Sequence, residues 1–439
     1  MSRRLFGTDG VRGVAGIEIT GQLALALGRA VVNRSELDAP RALVIRDTRE
    51  SGEMLEAALA AGIASAGGDV ALGGVLPTPA APLLIARHGF DLAVVISASH
   101  NPYTDNGIKF FGRDGLKLSD DTEREIELHI DEDTSGGGAR IGRIRRLDGG
   151  AEDYIAELER RFSGLSLAGV DVALDCAHGA TFEVAPEIFA RLGATVTALC
   201  VTPDGRNINA DCGSTHLDGL ASAVRDGGHD LGFAFDGDGD RMLAVDRHGS
   251  LVDGDELLAL AAIHLRERGR LAGGGVAVTV MTNFGFHTAM AQAGIEVATT
   301  AVGDRYVLEA LRERGWTLGG EQSGHIIEMG FVPSGDGIAA ALLVLEALEG
   351  GDLHERAAMA KLPQRLVNVR LPDREALLDA AAMEEAVAAE SALLDGRGRV
   401  LVRRSGTEPL VRVMVEAPSV EETDEVCARL VAVVEELLG

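Results

Sequence analysis

Aromatic side chains are scarce in this chain, at 4% of 439 residues, and cysteines number only four. Cys176, Cys200, Cys212 and Cys427 form no C-x-x-C pair, so the sequence encodes no local zinc knuckle and no redox dithiol. Long apolar runs are missing too. The longest, Ile338 to Leu345, stops at Glu346, well short of the roughly 20 residues a membrane-spanning helix needs. The opening Met1-Ser2-Arg3-Arg4 lacks the apolar stretch of a secretory signal, so a soluble, cytoplasmic protein in a reducing compartment is expected. Positive charge is also in short supply: 41 Lys and Arg stand against 68 Asp and Glu, a formal net charge of −27. That field excludes an extended nucleic-acid or anionic-membrane surface. It leaves room for a small phosphorylated ligand, which needs only a local cation cluster, a metal ion or a helix start. Two further signatures are absent: there is no Walker-type nucleotide loop and no G-x-S-x-G hydrolase elbow. Gly335 to Ala340 fits a dinucleotide fingerprint loosely, but it follows a poor strand and reads as a helix start.

What is present suits alternating layers of strand and helix. Hydrophobic residues make up 46%, mostly Ala, Val, Leu and Ile, and the length predicts three or four compact units. Short β-type runs at Ala42–Ile45, Val172–Leu174 and Val276–Val280 each lead into a polar turn and a helical stretch, the pattern of βα units in a mostly parallel sheet. Each opening is followed by a later strand that ends in an unusual polar loop, within Asp91–His100, Asp230–Asp240 and Thr317–Gly324. Loops beyond the carboxyl ends of strands are where α/β sheets bind ligands. From about Leu362 the order changes to strand, helix, two strands and a final helix opened by Ser419 with Glu422 at capping-box spacing. The expected fold is therefore α/β, with three similar mixed α/β domains (1–148, 149–248, 249–362) and a smaller C-terminal α+β domain (363–439) around a central cleft. Asp131–Asp148, with three consecutive glycines, reads as a surface connection.

Three motifs carry chemistry. Ser97-Ala98-Ser99-His100-Asn101-Pro102 ends an apolar strand and precedes Lys109, an arrangement that suits a serine nucleophile with a nearby proton carrier; a turn merely rich in Ser and Asn is the competing reading. Asp236-Gly237-Asp238-Gly239-Asp240-Arg241 offers three carboxylates on a glycine-softened loop, hard ligands for Mg²⁺ or Ca²⁺. It is not an EF-hand, because Arg241 and Arg247 occupy the positions where that loop needs Gly and Glu. Arg403-Arg404-Ser405-Gly406-Thr407-Glu408-Pro409, between two strands, could grip a phosphate, and Glu321 and Ser323 could meet sugar hydroxyls.

In this order, and across nearly the whole chain, these motifs resemble the α-D-phosphohexomutase superfamily. The resemblance implies that Ser99 is a phosphoserine, which with Asp236, Asp238 and Asp240 holds one Mg²⁺ per subunit. It makes Lys109, Arg12, His100 and His325 the catalytic group. Arg241, Glu321 and Ser323 would bind the sugar, and Arg403, Ser405, Gly406, Thr407 and Arg412 its non-reacting phosphate. Phe6–Gly13, Cys212–His216, Gly303–Val307 and Gly406 match the branch that interconverts glucosamine 6-phosphate and glucosamine 1-phosphate for amino-sugar nucleotide and peptidoglycan precursor synthesis. Phosphomannomutase/phosphoglucomutase relatives, the alternative, more often open with Tyr-Asp-Ile-Arg-Gly and carry Asn at Gly406. Departures from the pattern are Ile45, where Gly usually stands, and His178, where Asn is common. The resemblance further implies a 1,6-bisphosphate of glucosamine or glucose as primer and a small sugar phosphate as the only partner besides a homodimer mate, with neither nucleic acid nor membrane.

Overall fold

The computed structural model describes residues 5–7, 9–35, 37–130, 140–371, 380–404 and 409–437. By their contacts they form two compact units: the chain up to Met281 together with Ile295–Arg356, and Thr282–Gly294 together with Ala357 onward.

The first unit contains three sheets. Strands β1 (Val11–Val14), β2 (Arg41–Arg46), β3 (Asp69–Val75), β4 (Leu92–Ile96), β5 (Asp105–Gly112) and β6 (Ile144–Arg146) assemble in the order β1-β5-β4-β2-β3-β6. Next come β7 (Asp171–Asp175), β8 (Thr195–Leu199), β9 (Leu231–Phe235), β10 (Met242–Asp246) and β11 (Leu251–Val252), in the order β11-β10-β9-β7-β8. The third sheet takes β12 (Gly275–Thr279), β13 (Glu296–Thr300), β14 (Leu318–Gly320) and β15 (Ile326–Glu328), in the order β13-β12-β14-β15. One pattern underlies all three: three parallel strands with the first in sequence in the middle, then a fourth running antiparallel on the far side of the third. β4 and β9 are buried at every position, as strands covered on both faces must be, and hence read as uninterrupted apolar runs.

The connection expected over Asp131–Asp148 is only partly that. Residues 131–139 lie outside the described set, but Ile144–Arg146 is β6, paired in parallel with β3. Its three residues are exposed, so only the backbone joins it to the sheet and no apolar pattern announces it. Asp336 caps the helix Gly337–Leu348 by accepting the Ala339 N–H at 2.9 Å, so the loose fingerprint is a helix start.

The second unit is built on β16 (Gln364–Arg370), β17 (Arg399–Arg404) and β18 (Leu410–Glu416), antiparallel in the order β16-β18-β17, with the helix Val420–Glu436 capped by Ser419. The helix Phe284–Gln292 belongs here too, although it lies between β12 and β13 in sequence. Buried Glu416 accepts the Phe284 N–H at 2.8 Å, Arg399 donates to Thr282 O at 2.9 Å, and Asn283 exchanges two 3.0 Å hydrogen bonds with the Leu362 backbone.

Candidate active site

The loops after β4, β9 and β14 hold the same place in their sheets, between the last parallel strand and the antiparallel one. Ser99 lies on the first. Its φ of 53° is left-handed, a strain of about 1–3 kcal/mol that lasts only where neighbours impose it. Here they do. Fully buried Arg49 donates to the carbonyls of Ser99 and Asn101, both at 2.9 Å, to Asp105 O at 3.0 Å and to Pro102 O, while its Nε pairs with Asp47 at 2.8 Å. Asn209 reaches the Ser99 and Asn101 carbonyls from the second sheet, at 2.9 and 3.1 Å. Ser97 Oγ donates to Asp47 at 2.5 Å and accepts the Ser99 N–H at 2.9 Å.

The Ser99 hydroxyl, 1% exposed, donates to Asp236 Oδ2 at 2.5 Å. His100 Nδ1 is 3.3 Å from it and also 3.3 Å from Arg241 Nη1. Since an arginine can only donate, that nitrogen presents its lone pair and the imidazole is neutral. Burial and the Arg241 and Arg12 charges push the His100 pKa down accordingly.

Gly237 and Gly239 allow the second loop to close on the first. A Cβ on Gly237 would lie 2.5 Å from Ser99 O, and Gly239 has φ 70°. The loop thereby gathers Asp236, Asp238 and Asp240 with one oxygen of each within 4.8 Å of the others. Burial and the charges of Asp240 and Asp238 push the Asp236 carboxyl well above its usual range. Asp240 is held low: burial would raise it, but His325, Lys109 and Arg241 outweigh that. Asp238 Oδ2 accepts from Thr78 at 2.7 Å and from Lys109 at 2.9 Å, whereas Asp238 Oδ1 and Asp240 Oδ1 are buried with no hydrogen-bond partner among the described residues. Crowded hard oxygens with unused buried lone pairs fit a divalent cation such as Mg²⁺.

The third loop adds Glu321, Ser323 and His325. Glu321 accepts the Gly303 N–H at 3.1 Å, and Ser323 Oγ is buried with no partner among the described residues. Buried His325 accepts the Gly335 N–H on Nε2 at 3.2 Å and turns Nδ1 toward Asp240 at 3.6 Å. Lys109, 1% exposed, sits between Asp238 and Asp9, the latter at 3.2 Å, and its pKa is raised because these carboxylates outweigh burial. Arg12 is bonded to Asp9.

Sequence reasoning missed Asp9, Arg49, Thr78, Asn209, Lys117 and Asp304. Lys117 joins Asp9 to Asp304, the latter at 2.5 Å, and so ties the first sheet's loops to the third's. One signal was available: the chain has only three lysines, and two of them lie here among carboxylates, Lys109 buried and Lys117 half-buried.

In the second unit Arg403 and Arg412 are directly opposed on neighbouring strands β17 and β18. Ser405, Gly406 and Thr407 lie outside the described residues.

Four stretches match the phosphoglucomutase/phosphomannomutase family: alpha/beta/alpha domain I over residues 3–136, domain II over 152–249, domain III over 253–365 and the C-terminal domain over 366–433. A curated phosphoglucosamine mutase of Desulforudis audaxviator is 53% identical, covering 99% of this chain and 98% of its own. One from Nocardioides sp. is 51% identical, with 99% of each chain covered. Among solved structures, a phosphoglucomutase/phosphomannomutase family protein of Burkholderia thailandensis superposes with TM-score 0.84 at 25% identity, covering 100% of this chain and 98% of that one. The N-acetylphosphoglucosamine mutase of Aspergillus fumigatus, solved with GlcNAc-6P and magnesium, shares the fold at TM-score 0.66 and 18% identity, over 99% and 96% of the two chains.

Proposed function

The chain belongs to the phosphoglucomutase/phosphomannomutase family, and on that footing we propose that it is an isomerase interconverting glucosamine 6-phosphate and glucosamine 1-phosphate, the activity for which its full-length relatives are named. The observation that carries the chemistry is the Ser99 hydroxyl, strained, buried and 2.5 Å from a cluster of three carboxylates. In this reading Ser99 carries the phosphoryl group, gives it to the free hydroxyl of the sugar to form the 1,6-bisphosphate, and takes the other phosphate back after the sugar has turned. Asp236, Asp238, Asp240 and the Ser99 phosphate would hold Mg²⁺, which supplies positive charge to neutralise the group in flight.

The chain's own residues have to move one proton, from the attacking sugar hydroxyl to the departing Ser99 oxygen. Arg12 is already bonded to Asp9, and a guanidinium has donors but no acceptor. Both nitrogens of His325 are engaged, one by the Gly335 N–H and one toward Asp240, so His325 positions Asp240. Lys109 remains as the carrier, starting as an ammonium ion held by Asp238 and Asp9. Arg241 and neutral His100 line the approach to Ser99, Glu321 and Ser323 take sugar hydroxyls, and Arg403 and Arg412, with Ser405, Gly406 and Thr407, grip the phosphate that is not reacting. Burial of Ser99 favours transfer to a sugar over transfer to water.

We further read the protein as cytoplasmic, primed by a glucosamine or glucose 1,6-bisphosphate, and placed before amino-sugar nucleotide and peptidoglycan precursor synthesis; a homodimer is the assembly to seek by light scattering. Among the described residues no helix is long and apolar enough to cross a membrane. The test is a coupled assay on glucosamine phosphate with phosphopeptide mapping. Turnover with phosphate on Ser99 is expected, and turnover with Ser99 unphosphorylated throughout the cycle would refute the mechanism.

A further inference from the structure

We propose that His178, Cys200 and Cys212 form a second cation site, for a borderline-soft divalent ion such as Zn²⁺, that braces the loop behind Ser99. The sequence offers no C-x-x-C pair among these residues, but the fold collects them: one ring nitrogen of His178 and the two sulfurs lie within 4.8 Å of one another. β7 and β8 are parallel neighbours, so the residues just past their carboxyl ends meet. The Cys176 N–H donates to Leu199 O at 3.1 Å and the His178 N–H to Cys200 O at 2.7 Å. Left-handed backbone at His178 and Cys200, φ 49° and 53°, accompanies this convergence. Cys212 is drawn in by its neighbour, since the Gly213 N–H donates to Asp175 Oδ2 at 2.9 Å.

Two thiols and an imidazole suit Zn²⁺ and exclude Mg²⁺, which demands oxygen. The site is thus chemically distinct from the all-oxygen loop at Asp236–Asp240. Donors of a tetrahedral zinc site stand roughly 3.4–3.8 Å apart, a contraction on the order of 1 Å from the present upper bound. Cys212 is buried while His178 and Cys200 are partly exposed, which gives an ion a way in. The exposed Thr202 N–H now donates to His178 Nδ1 at 3.2 Å, and water can satisfy it once a cation takes that lone pair.

The same residues stand directly behind the catalytic loop. Asn209, whose side chain holds the Ser99 and Asn101 carbonyls, donates its own N–H to Ala177 O at 2.9 Å, and Thr48, beside Arg49, donates to His178 O at 2.6 Å. A cation linking His178 to Cys200 and Cys212 therefore stiffens the support of Asn209. Only this bracing role leans on the reading of Ser99; cation binding stands apart from it.

The test uses the reduced full-length protein with Mg²⁺ in excess, titrated with Co²⁺ as a spectroscopic probe and then with Zn²⁺. A single equivalent of Co²⁺ should give a thiolate-to-metal charge-transfer band that Zn²⁺ abolishes. Cys200→Ser and Cys212→Ser should remove the band and weaken Zn²⁺ binding at least about tenfold. His178→Asn should weaken it comparably while remaining folded, because Asn tolerates a left-handed φ. Asp238→Asn should leave the band intact. Zn²⁺ should raise the Tm of the unaltered protein and not that of the Cys or His variants. Absence of the band in folded, reduced protein, or its survival in both Cys variants, would overturn the site. Binding with no change in Tm would overturn the bracing.

Discussion

Ser97 and Ser99, two positions apart, have opposite duties. Ser99→Ala removes the hydroxyl that faces Asp236 and should abolish turnover without loss of fold. Ser97→Ala leaves the Ser99 N–H without its acceptor and takes one donor from Asp47, which should cost about 1–3 kcal/mol of stability and leave far more activity than Ser99→Ala; rate assays and denaturant melts would show a reversed ranking at once. Asp238→Asn removes one of the carboxylates proposed to hold Mg²⁺ and one of the three that face Lys109, so the Mg²⁺ needed for half-maximal rate should rise and kcat fall, whereas indifference to both the substitution and chelator would rule the metal role out. A pH effect is built in elsewhere. Asp336 is buried, accepts the Tyr154 hydroxyl at 2.9 Å, and burial pushes its pKa up to about 7. The folded state therefore holds this proton more tightly than the unfolded chain, where a carboxyl titrates near about 3.9. Below that value the group costs nothing; as pH rises from about 4 to about 7 it withdraws on the order of a few kcal/mol of stability. Asp336→Asn keeps the cap and cannot ionise. Its Tm should exceed that of the parent at pH 8 and the gap should shrink at pH 5; a gap independent of pH would contradict the assignment.

At the scale of elements, the site is one structural position used three times, the turn from third to fourth strand, and its precision depends on what holds each turn. Arg49 holds the first. Arg49→Lys keeps the charge beside Asp47 but cannot span four carbonyls, so kcat should fall on the order of 100-fold with little change in Mg²⁺ affinity, as primed steady-state kinetics would reveal. The strands and their polar ends were legible in the sequence because β4 and β9 are buried throughout and their loops change abruptly to Ser, Asp and Gly. The partners of those loops were not. Thr78 meets Asp238 across 160 residues and Lys117 meets Asp304 across 187, and no local pattern encodes contacts at such separations. β6 escaped notice for the converse reason, being joined to its sheet by backbone alone. Cys200 and Cys212 are near in the chain but look unrelated because no C-x-x-C spacing joins them. Only the rarity of lysine hinted at Lys117: where arginine serves almost everywhere else, a retained ammonium marks a place that needs a compact cation.

Over the whole molecule the net charge of −27 bears on substrate choice. A partly protonated 2-amino group is favoured by that field and by the carboxylates of the site, while Glu321 and Ser323, in the proposed role, would meet hydroxyls that glucose and glucosamine share. The expected order of kcat/KM is glucosamine phosphate, then glucose phosphate, then mannose phosphate, measured side by side on bisphosphate-primed enzyme; a lead for mannose or glucose would move the assignment to the phosphomannomutase/phosphoglucomutase alternative. The C-terminal unit is not a bead at the end of a string, since Thr282–Gly294 is interleaved into it from within the third sheet's sequence. A recombination event that joined a foreign C-terminal segment at residue 366 would bring its own counterpart of Glu416 and Arg399 to a helix inherited from the other parent. Exchange at that seam should thus be tolerated only between lineages that have kept both sides compatible, which ties about the last sixth of the gene to a short stretch roughly two-thirds of the way along it.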